Sequence, residues 1–540
     1  MKCSKCGQEY ADGTKFCEKC GAELTSSDVK TEAAPAAENA PVEKKEETPA
    51  AEPMKEADAG KPKLDLKKLL IPVAAVAAVI VLIALICSLF GGKSNYPTYN
   101  KNTIVSLETK DDSVYVSYPN GEFKDLKVEK KGGAYYSGDR SLVAFFDDSG
   151  ELVYFKNGKL VSTGLDEIKS ITVSNDGATI AYLSEVKNGS GVLYLYETKS
   201  KKSKEIADDV RVGSIVLSPD GKTVAYVSDY EAEDDFKGYY SVNGKKPVEV
   251  GKEKRVFAIA DKGTYIYYKD GDRIYVQKGK KEPEKLATDV GSFRAFFNKD
   301  LSQIMYTNDG KTYISEKAKE KVKVSSDPVY AFIFPQDSVC GSYSMADGTI
   351  TLTGVKSLAK QLIYVSDSIY YVKPNFESVK VASNVMQVAL SKDCKKLYVL
   401  GTKQDVVEIT DFAKGGKKKD LTDEGDIVSF QTDVKLKKLY VMNEDDELKY
   451  VKSKQKLVKL SDDVTSFACT KDGATCYFVV DYETLYLSKN GGKKVKIKEE
   501  DNVSVTNYLD VTMVKIYEDD TTTSYIANGK KLKEVFSTED

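Results

Sequence analysis

A repeat with a period of about 40 residues is the feature that most constrains how this chain folds. The segment ITVSNDGATIAYLS at 171–184 recurs as IVLSPDGKTVAYVS at 215–228, and weaker copies follow toward the C-terminus. Successive copies lie 37 to 44 residues apart, except for one gap of 92 residues that has room for one poorly matching unit. Eight copies align on the aromatic residue of an Ala-Tyr-like pair, namely Phe145, Tyr182, Tyr226, Tyr267, Tyr306, Tyr398, Tyr440 and Tyr477.

The repeating unit reads as four short β-strands. An apolar strand leads into a Ser-x-Asp-Gly turn, in which Asp bonds the local backbone and Gly supplies the positive φ of a tight hairpin. An alternating strand such as TVAYVS follows, and then a strand like VLYLYE at 192–197. A Lys-rich outer strand such as KSKEIAD at 202–208 comes last, and its charges protect a solvent-facing edge from pairing. Four strands in every ~40 residues predict a β-propeller.

The number of repeats sets the expected number of blades. Degenerate copies near Phe332–Ser344 and Val503–Tyr517 bring the number of anchors to ten. We therefore expect residues 95–540 to be mainly β and to form a propeller of about eight to ten four-stranded blades. Ten anchors are compatible with one ring or with two smaller rings.

The full pattern, in which an apolar strand is followed by Ser-Pro-Asp-Gly-Lys and then by Ala-Tyr, occurs only at 215–228. This pattern resembles the TolB-like propeller repeats, which also occur in relatives of dipeptidyl peptidases, and the likeness covers most of residues 134–517. The resemblance implies a module that docks a protein, a peptide or a glycan on a propeller face. Trp-Asp repeats do not fit, because the chain contains neither Trp nor His.

Four cysteines near the N-terminus form a C-x2-C-x10-C-x2-C pattern. Cys3 and Cys6, then Cys17 and Cys20, are each followed directly by Gly. Four thiolates complete a tetrahedral zinc site, and each C-x2-C makes a tight knuckle whose Gly permits the turn. Two disulfides or a redox pair are the alternatives, but a redox pair needs a βαβ context that 24 residues do not supply. The sequence predicts a zinc ribbon over 1–24, similar to the small modules that begin many bacterial membrane proteins.

Two further segments separate the ribbon from the repeats. Residues 25–68 are rich in Ala, Pro, Glu and Lys and contain no aromatic residue, which predicts a solvated, disordered linker. Residues 69–90 are 22 residues without a charge. At ~1.5 Å per residue this helix is ~33 Å long and matches a hydrocarbon core of ~30 Å. We therefore expect a single transmembrane helix over 69–90.

The lysines beside this span predict its orientation. Four lie just before it and two follow it: Lys61, Lys63, Lys67 and Lys68, then Lys93 and Lys101. The positive-inside bias keeps the N-terminus in the cytoplasm, where thiols stay reduced and suit a zinc site. The expected location is the cell membrane, with the repeat domain outside the cytoplasm.

The composition narrows the classes of function. The absence of His excludes Ser-His-Asp and Cys-His nucleophiles, His-ligated metal sites and imidazole acid-base catalysis. Only five of the 80 basic residues are Arg, which argues against a nucleic-acid partner. We expect a binding or scaffold module without catalytic residues rather than an enzyme. Two alternatives stay open: an exported carbohydrate-active enzyme that uses a carboxylate pair, and a transmembrane sensor that signals through the ribbon.

Acidic runs and cysteines in the repeats are the remaining candidates for chemistry. The acidic runs are Asp147–Asp148, Glu231–Asp235, Glu444–Glu447 and Glu499–Asp501. None of them has the Asp-x-Asp-x-Asp-Gly spacing of a calcium-binding loop, so we expect them at solvated hairpin tips. We expect free, mostly buried thiols at Cys340, Cys394, Cys469 and Cys476. A two-residue turn between Cys469 and Cys476 would place them opposite each other, whereas a three-residue loop would turn them to opposite faces. The Pro-Asp-Gly-type loop of the other repeats favours the second arrangement.

Overall fold

The computed structural model describes residues 96–539, except for 233–234, 289–292, 339, 345–347 and 453–455. The predicted ribbon, linker and transmembrane helix, at 1–24, 25–68 and 69–90, lie outside these residues. In the part that is described, no helix is long and apolar enough to cross a membrane.

The described residues form eleven successive sheets, antiparallel except for one strand pair, which are the blades of an eleven-bladed β-propeller. The prediction of a mainly β propeller is confirmed, and the predicted count of eight to ten blades is too low. Each of the ten sequence anchors falls on one of blades 2–11. The missed sheet is blade 1, which has three strands and no Ser-x-Asp-Gly turn: β1 Leu107–Lys110, β2 Ser113–Ser117 and β3 Phe123–Asp125.

Blades 2–5 each consist of four strands in chain order, with the first strand innermost. Blade 2 consists of β4 Lys130–Tyr136, β5 Leu142–Asp147, β6 Leu152–Lys156 and β7 Lys159–Ser162, and blade 3 of β8 Lys169–Val173, β9 Thr179–Lys187, β10 Ser190–Glu197 and β11 Lys202–Arg211. Blade 4 consists of β12 Val216–Leu217, β13 Thr223–Ala232, β14 Asp235–Val242 and β15 Val248–Lys252. Blade 5 consists of β16 Lys254–Ile259, β17 Tyr265–Asp270, β18 Arg273–Lys278 and β19 Glu284–Ala287, with a short 3-10 helix at Asp261–Gly263. The predicted Lys-rich outer strand of blade 3 is β11.

Blades 6 and 7 are linked by an insertion that explains the gap of 92 residues. Their strands are β20 Ala295–Phe297, β21 Gln303–Asn308, β22 Lys311–Glu316 and β23 Val322–Ser325, then β24 Val329–Ile333, the inserted hairpin β25 Ser342–Ser344 and β26 Thr349–Thr351, and β27 Gln361–Val365, β28 Ser368–Val372 and β29 Ser378–Ala382. Strand β26 pairs in parallel with β20, so the insertion joins blade 6 although it interrupts blade 7. The copy predicted near 332–344 therefore combined strands of two blades.

Blades 8–11 again have four strands each in chain order. Blade 8 consists of β30 Val385–Leu390, β31 Leu397–Gly401, β32 Val406–Thr410 and β33 Lys417–Asp420, with a 3-10 helix at Phe412–Lys414. Blade 9 consists of β34 Ile427–Thr432, β35 Leu439–Asn443, β36 Leu448–Val451 and β37 Leu457–Ser461, and blade 10 of β38 Val464–Cys469, β39 Thr475–Val480, β40 Thr484–Lys489 and β41 Val495–Glu499. Blade 11 consists of β42 Val503–Tyr508, β43 Val511–Glu518, β44 Thr521–Asn528 and β45 Lys531–Glu539.

The Ser-x-Asp-Gly motif closes the turn between the first two strands of a blade. The Ser174 hydroxyl accepts the Thr179 N–H at 3.0 Å and donates to Asp176 Oδ1 at 2.7 Å, and this oxygen also accepts the Ala178 N–H at 2.9 Å. Gly177 has a φ of 61°, as the turn requires. The same pattern, with Asn or Thr replacing Ser at two sites, recurs at Ser137/Asp139, Ser218/Asp220, Asn298/Asp300, Ser391/Asp393 and Thr470/Asp472. The motif is thus explained by turn formation.

The aromatic residue of the Ala-Tyr pair joins neighbouring blades. Tyr267 donates its hydroxyl to the Leu301 carbonyl of the next blade at 2.7 Å, and Tyr398 does the same to Leu436 at 2.7 Å. Both acceptors occupy the left-handed position of the motif turn, with φ of 55° and 51°. Tyr440 likewise bonds a turn carbonyl in blade 10. These bonds couple two parts of the repeat that are distant in sequence, the tyrosine of one blade and the turn of the next.

Aromatic pairs also stabilise individual blades. In six of the described blades, an aromatic residue of the second strand packs on a tyrosine of the third, with ring centroids 5.0 to 6.1 Å apart. Cross-strand aromatic pairs of this kind contribute about 0.5–1.5 kcal/mol each beyond the area that they bury. The pairs are Tyr182–Tyr194, Tyr226–Tyr239, Tyr268–Tyr275, Tyr306–Tyr313, Tyr440–Tyr450 and Phe478–Tyr486.

The ring closes by packing of blade 11 on blade 1. Phe536 of β45 stacks on Phe123 with ring centroids 4.4 Å apart, and it meets Tyr115 edge-on. The Asp510 N–H donates to the Pro119 carbonyl at 3.1 Å. Between other successive blades the described residues form ten hydrophobic clusters, one for each junction. The core is therefore a series of interfaces between blades.

Candidate functional site

The inner strands of blades 2–5 line a cavity of about 580 Å³, which we call the blade 2–6 channel. Strands β4, β8, β12 and β16 form most of its wall, and Leu301 of blade 6 and β26 of the insertion complete it. None of the described residues that line this channel carries a formal charge. Its polar groups are hydroxyls, backbone groups and one amide. The side chains that contribute them are Tyr135, Tyr136, Ser170, Thr172, Ser174, Asn175, Ser218, Thr349 and Thr351.

Contacts behind the wall hold part of this lining in place. The Tyr136 hydroxyl accepts the Leu107 N–H at 3.0 Å, and the guanidinium of Arg140 lies 4.4 Å from the centroid of the Tyr136 ring. The Ser170 hydroxyl accepts the Gly213 N–H from the next blade at 3.1 Å. Burial raises the pKa of Tyr136, so its phenol stays neutral at physiological pH. The wall is a fixed, uncharged surface that presents hydrogen-bonding groups.

Two carboxyl groups meet beside Ser218, at the end of this channel where the motif turns lie. The Asp220 N–H donates to Asp261 Oδ1 at 3.0 Å, and the two carboxyl groups bond each other. Burial and the negative charge of Asp220 raise the pKa of Asp261. Burial also acts to raise the pKa of Asp220, but bonds from the Lys222 N–H and the Ser218 hydroxyl lower it overall. Of the two carboxyl groups, Asp261 is therefore the first to bind a proton as the pH falls.

Among the described residues that line the blade 2–6 channel there is no carboxylate pair of the kind that the enzyme alternative requires. A retaining glycosidase needs carboxyl groups about 5 Å apart and an inverting enzyme needs a wider gap, whereas Asp220 and Asp261 are in direct contact. Three of the acidic runs lie at or beside hairpin tips, as expected, whereas Glu499–Asp501 lies in the connection between blades 10 and 11. None of their described residues lines the channel.

A second, smaller cavity lies near the inner strands of blades 9–11. It has a volume of about 260 Å³, and we call it the blade 9–11 cavity. Tyr99, Gln336, Cys469 and Lys471 contribute to its wall. The Lys471 ammonium pairs with Asp510 and lies 4.9 Å from the centroid of the Tyr99 ring. Gln336 belongs to the same insertion as β26, which lines the blade 2–6 channel.

The four described cysteines are free thiols, which agrees with the expectation. Cys469 and Cys476 are buried, and Cys340 and Cys394 are half-buried. The predicted placement of Cys469 and Cys476 on opposite faces is wrong, because they are direct partners across β38 and β39. The turn between them contains an even number of residues, six, and it is closed by a bond from the Thr470 N–H to the Thr475 carbonyl. Both thiols therefore point to the same face.

Sequence reasoning named no residue of the blade 2–6 channel. The signal was nevertheless present, because the strand before each Ser-x-Asp-Gly turn is the innermost strand of its blade, and the edge of this strand lines the channel. The four predicted zinc ligands lie outside the described residues; they are Cys3, Cys6, Cys17 and Cys20. Across the described residues, no group of cysteine or carboxylate side chains is arranged to hold a metal ion.

Comparisons with known proteins bear mainly on the N-terminus. No curated protein matches the chain in sequence. The chain is similar to a solved structure of the tricorn protease, with 12% identity over 81% of this chain and 48% of that one and a TM-score of 0.24. It is also similar to PorZ, a surface component of the type-IX secretion system of Porphyromonas gingivalis, with 10% identity, 81% and 68% coverage and a TM-score of 0.28.

A third similar structure is a eukaryotic initiation factor, with 11% identity over 73% of this chain and 96% of that one and a TM-score of 0.38. The chain spans about half the length of the tricorn protease chain. With identities and TM-scores this low, none of the three carries an argument about function, and the TolB-like resemblance stays a prediction. One family match is specific, since residues 2–24 match the zinc-ribbon domain. The N-terminal segment is therefore a zinc ribbon.

Proposed function

We propose that this protein is a single-pass membrane protein whose exported propeller binds an uncharged segment of a glycan or a peptide. In this proposal the zinc ribbon lies in the cytoplasm, residues 69–90 cross the membrane and the propeller lies outside. Cys3, Cys6, Cys17 and Cys20 hold one zinc ion, and metal binding drives folding of the ribbon. No nucleic-acid partner is proposed.

The uncharged lining of the blade 2–6 channel is the observation that carries the binding proposal. Hydroxyls and tyrosine rings suit the hydroxyl groups and apolar faces of a sugar, or the amides of an uncharged peptide. A charged ligand would lose its hydration in this channel without gaining an opposite charge. The described residues of the lining also offer no carboxylate as a nucleophile or general acid, which favours binding over turnover.

Filling the channel tests this proposal. Thr172 lies on the innermost strand β8 and lines the channel, so Thr172→Trp should lower affinity for the ligand at least about tenfold. The matched control is Val248→Trp, because Val248 lies half-exposed on the outer strand β15. Full-length protein would be screened against arrays of neutral glycans and uncharged peptides. Equal binding by Thr172→Trp and wild type would contradict a channel site.

The salt dependence of binding is a second test. Since none of the described lining residues is charged, affinity should change less than about twofold between about 50 mM and 500 mM salt. A steep loss of affinity with salt would place the ligand on a charged surface instead.

The membrane topology needs a separate experiment. Full-length protein with one epitope tag at each terminus would be expressed in cells, which are then treated with protease. Under the proposed orientation the C-terminal tag is lost and the N-terminal tag is protected, and membrane disruption exposes both. Loss of the N-terminal tag alone would reverse the orientation, and protection of both tags would remove the export proposal.

A further inference from the structure

We propose that Cys469 and Cys476 are a site of reversible oxidation, at which a disulfide closes the first hairpin of blade 10. The two residues are cross-strand partners of β38 and β39. The neighbouring pair Thr470 and Thr475 shares a backbone hydrogen bond of 2.8 Å. Because the pairs of an antiparallel ladder alternate, Cys469 and Cys476 form a non-hydrogen-bonded pair.

The spacing of such a pair suits a disulfide. Cα atoms of non-hydrogen-bonded partners lie about 4.5 Å apart, and disulfides form over about 4.4–6.8 Å. Cys469 and Cys476 also belong to the same buried cluster, between blades 9 and 10. Closing the bond therefore needs no change in strand register or in the face to which either side chain points.

In four other blades the same position is filled by aliphatic pairs. The residues that flank the motif turn there are Val173–Ile180, Leu217–Val224, Ile259–Ile266 and Leu390–Leu397. A buried cysteine is a small apolar residue, so one replacement needs no explanation beyond packing. In blade 10 both partners are cysteines, which gives this hairpin a chemistry that the aliphatic pairs do not have.

Cys469 is 2% exposed and borders the blade 9–11 cavity, which is the side from which a small disulfide would reach it. The Cys469 thiolate attacks one sulfur of the small disulfide, forms a mixed disulfide and releases one thiolate. The Cys476 thiolate then attacks the Cys469 sulfur and releases the second thiolate. The two cysteines lose two protons and two electrons, and the reagent leaves as two thiols.

The pH dependence follows from burial of the thiols. Burial raises the pKa of Cys469 to about 12 and raises that of Cys476 as well. Thiolates are therefore scarce at neutral pH, and the bond should form faster as the pH rises.

Peptide mapping tests the proposal directly. Purified full-length protein would be incubated with oxidised glutathione at about pH 8.5, alkylated and digested with trypsin without reduction. Cleavage after Lys471 separates the two cysteines onto peptides Leu460–Lys471 and Asp472–Lys489, so the bond appears as a linked pair of these peptides. Slower amide exchange in the hairpin, by at least about tenfold, should accompany it.

Variants separate this bond from other oxidation. Cys476→Ser should stop at a glutathione adduct on Cys469, whereas a Cys340→Ser, Cys394→Ser double variant should form the linked peptides as wild type does. The proposal fails if both peptides stay alkylated and unlinked after the oxidant has modified Cys340, or if Cys469 is linked to any other cysteine. It also fails if wild type stops at the glutathione adduct.

Discussion

The hydroxyl of Tyr267 provides a sharp test of how the blades are held together. Its ring is fully buried and packs edge-on against Phe297, with centroids 4.8 Å apart, and its hydroxyl bonds the Leu301 carbonyl of blade 6 at 2.7 Å. Burial raises the pKa of Tyr267, so the phenol remains a donor at neutral pH. The substitution Tyr267→Phe removes this donor and keeps the ring in place.

The expected cost follows from the geometry. A buried hydrogen bond contributes about 0.5–1.5 kcal/mol, and a buried acceptor left without its partner costs about 1–3 kcal/mol. The motif turn of blade 6 should therefore lose about 1–2 kcal/mol, which corresponds to a factor of about 5–30 in its opening equilibrium. Since Leu301 has a φ of 55°, the turn that loses this bond already holds a non-glycine residue in a left-handed conformation.

Hydrogen exchange followed by mass spectrometry is the appropriate assay, because a chain of eleven blades is not expected to unfold in one step. Peptides that cover the turn at 298–303 should exchange about 5–30 times faster in Tyr267→Phe, while peptides of blades 9–11 should be unchanged. The control is Tyr482→Phe, since Tyr482 is 63% exposed. Unchanged exchange at 298–303, or an equal increase in every blade, would refute the role of this bond.

Three further variants probe the carboxyl pair, the ribbon and a close strand contact. Asp261→Asn should stabilise the propeller at pH 7 and lose this advantage toward about pH 4, because the raised pKa of Asp261 makes its ionisation unfavourable in the folded state. Thermal unfolding at several pH values, with Asp220→Asn for comparison, measures this difference in stability. Replacing Cys6 and Cys20 by Ser should abolish one bound zinc per chain in metal analysis without changing propeller unfolding, and zinc-free wild type would contradict the site. Gly238→Ala should destabilise blade 4 by more than about 2 kcal/mol in denaturant unfolding, because the added Cβ would overlap a backbone oxygen of β16; an unchanged midpoint would show that the strands can separate.

The sequence predicted the parts of the fold that depend on local chemistry. A turn such as Ser218–Gly221 needs only nearby side chains to close it, so its pattern is readable in each repeat. Blade 1 lacks that turn, and only packing of residues such as Phe123 on blade 11 makes it a blade. The insertion was missed for the same reason, because its parallel pairing with β20 joins residues about 55 apart and follows no repeat. The count was therefore wrong where long-range contacts decide the sheet.

The candidate site was harder to predict than the fold because the repeat itself carries no signal for it. Serine, aspartate and glycine of the motif are used in the turn, and tyrosines such as Tyr398 and Tyr440 are used between blades. Positions that face the blade 2–6 channel are free to differ from blade to blade, as Tyr135, Thr172 and Ala258 do. A residue that recurs at the same place in each unit therefore maintains the ring, whereas one that differs at an inner position is a candidate for selecting the ligand. By this reasoning, changes at Tyr135 or Thr172 should alter which ligand is bound, while changes at the motif should first lower stability.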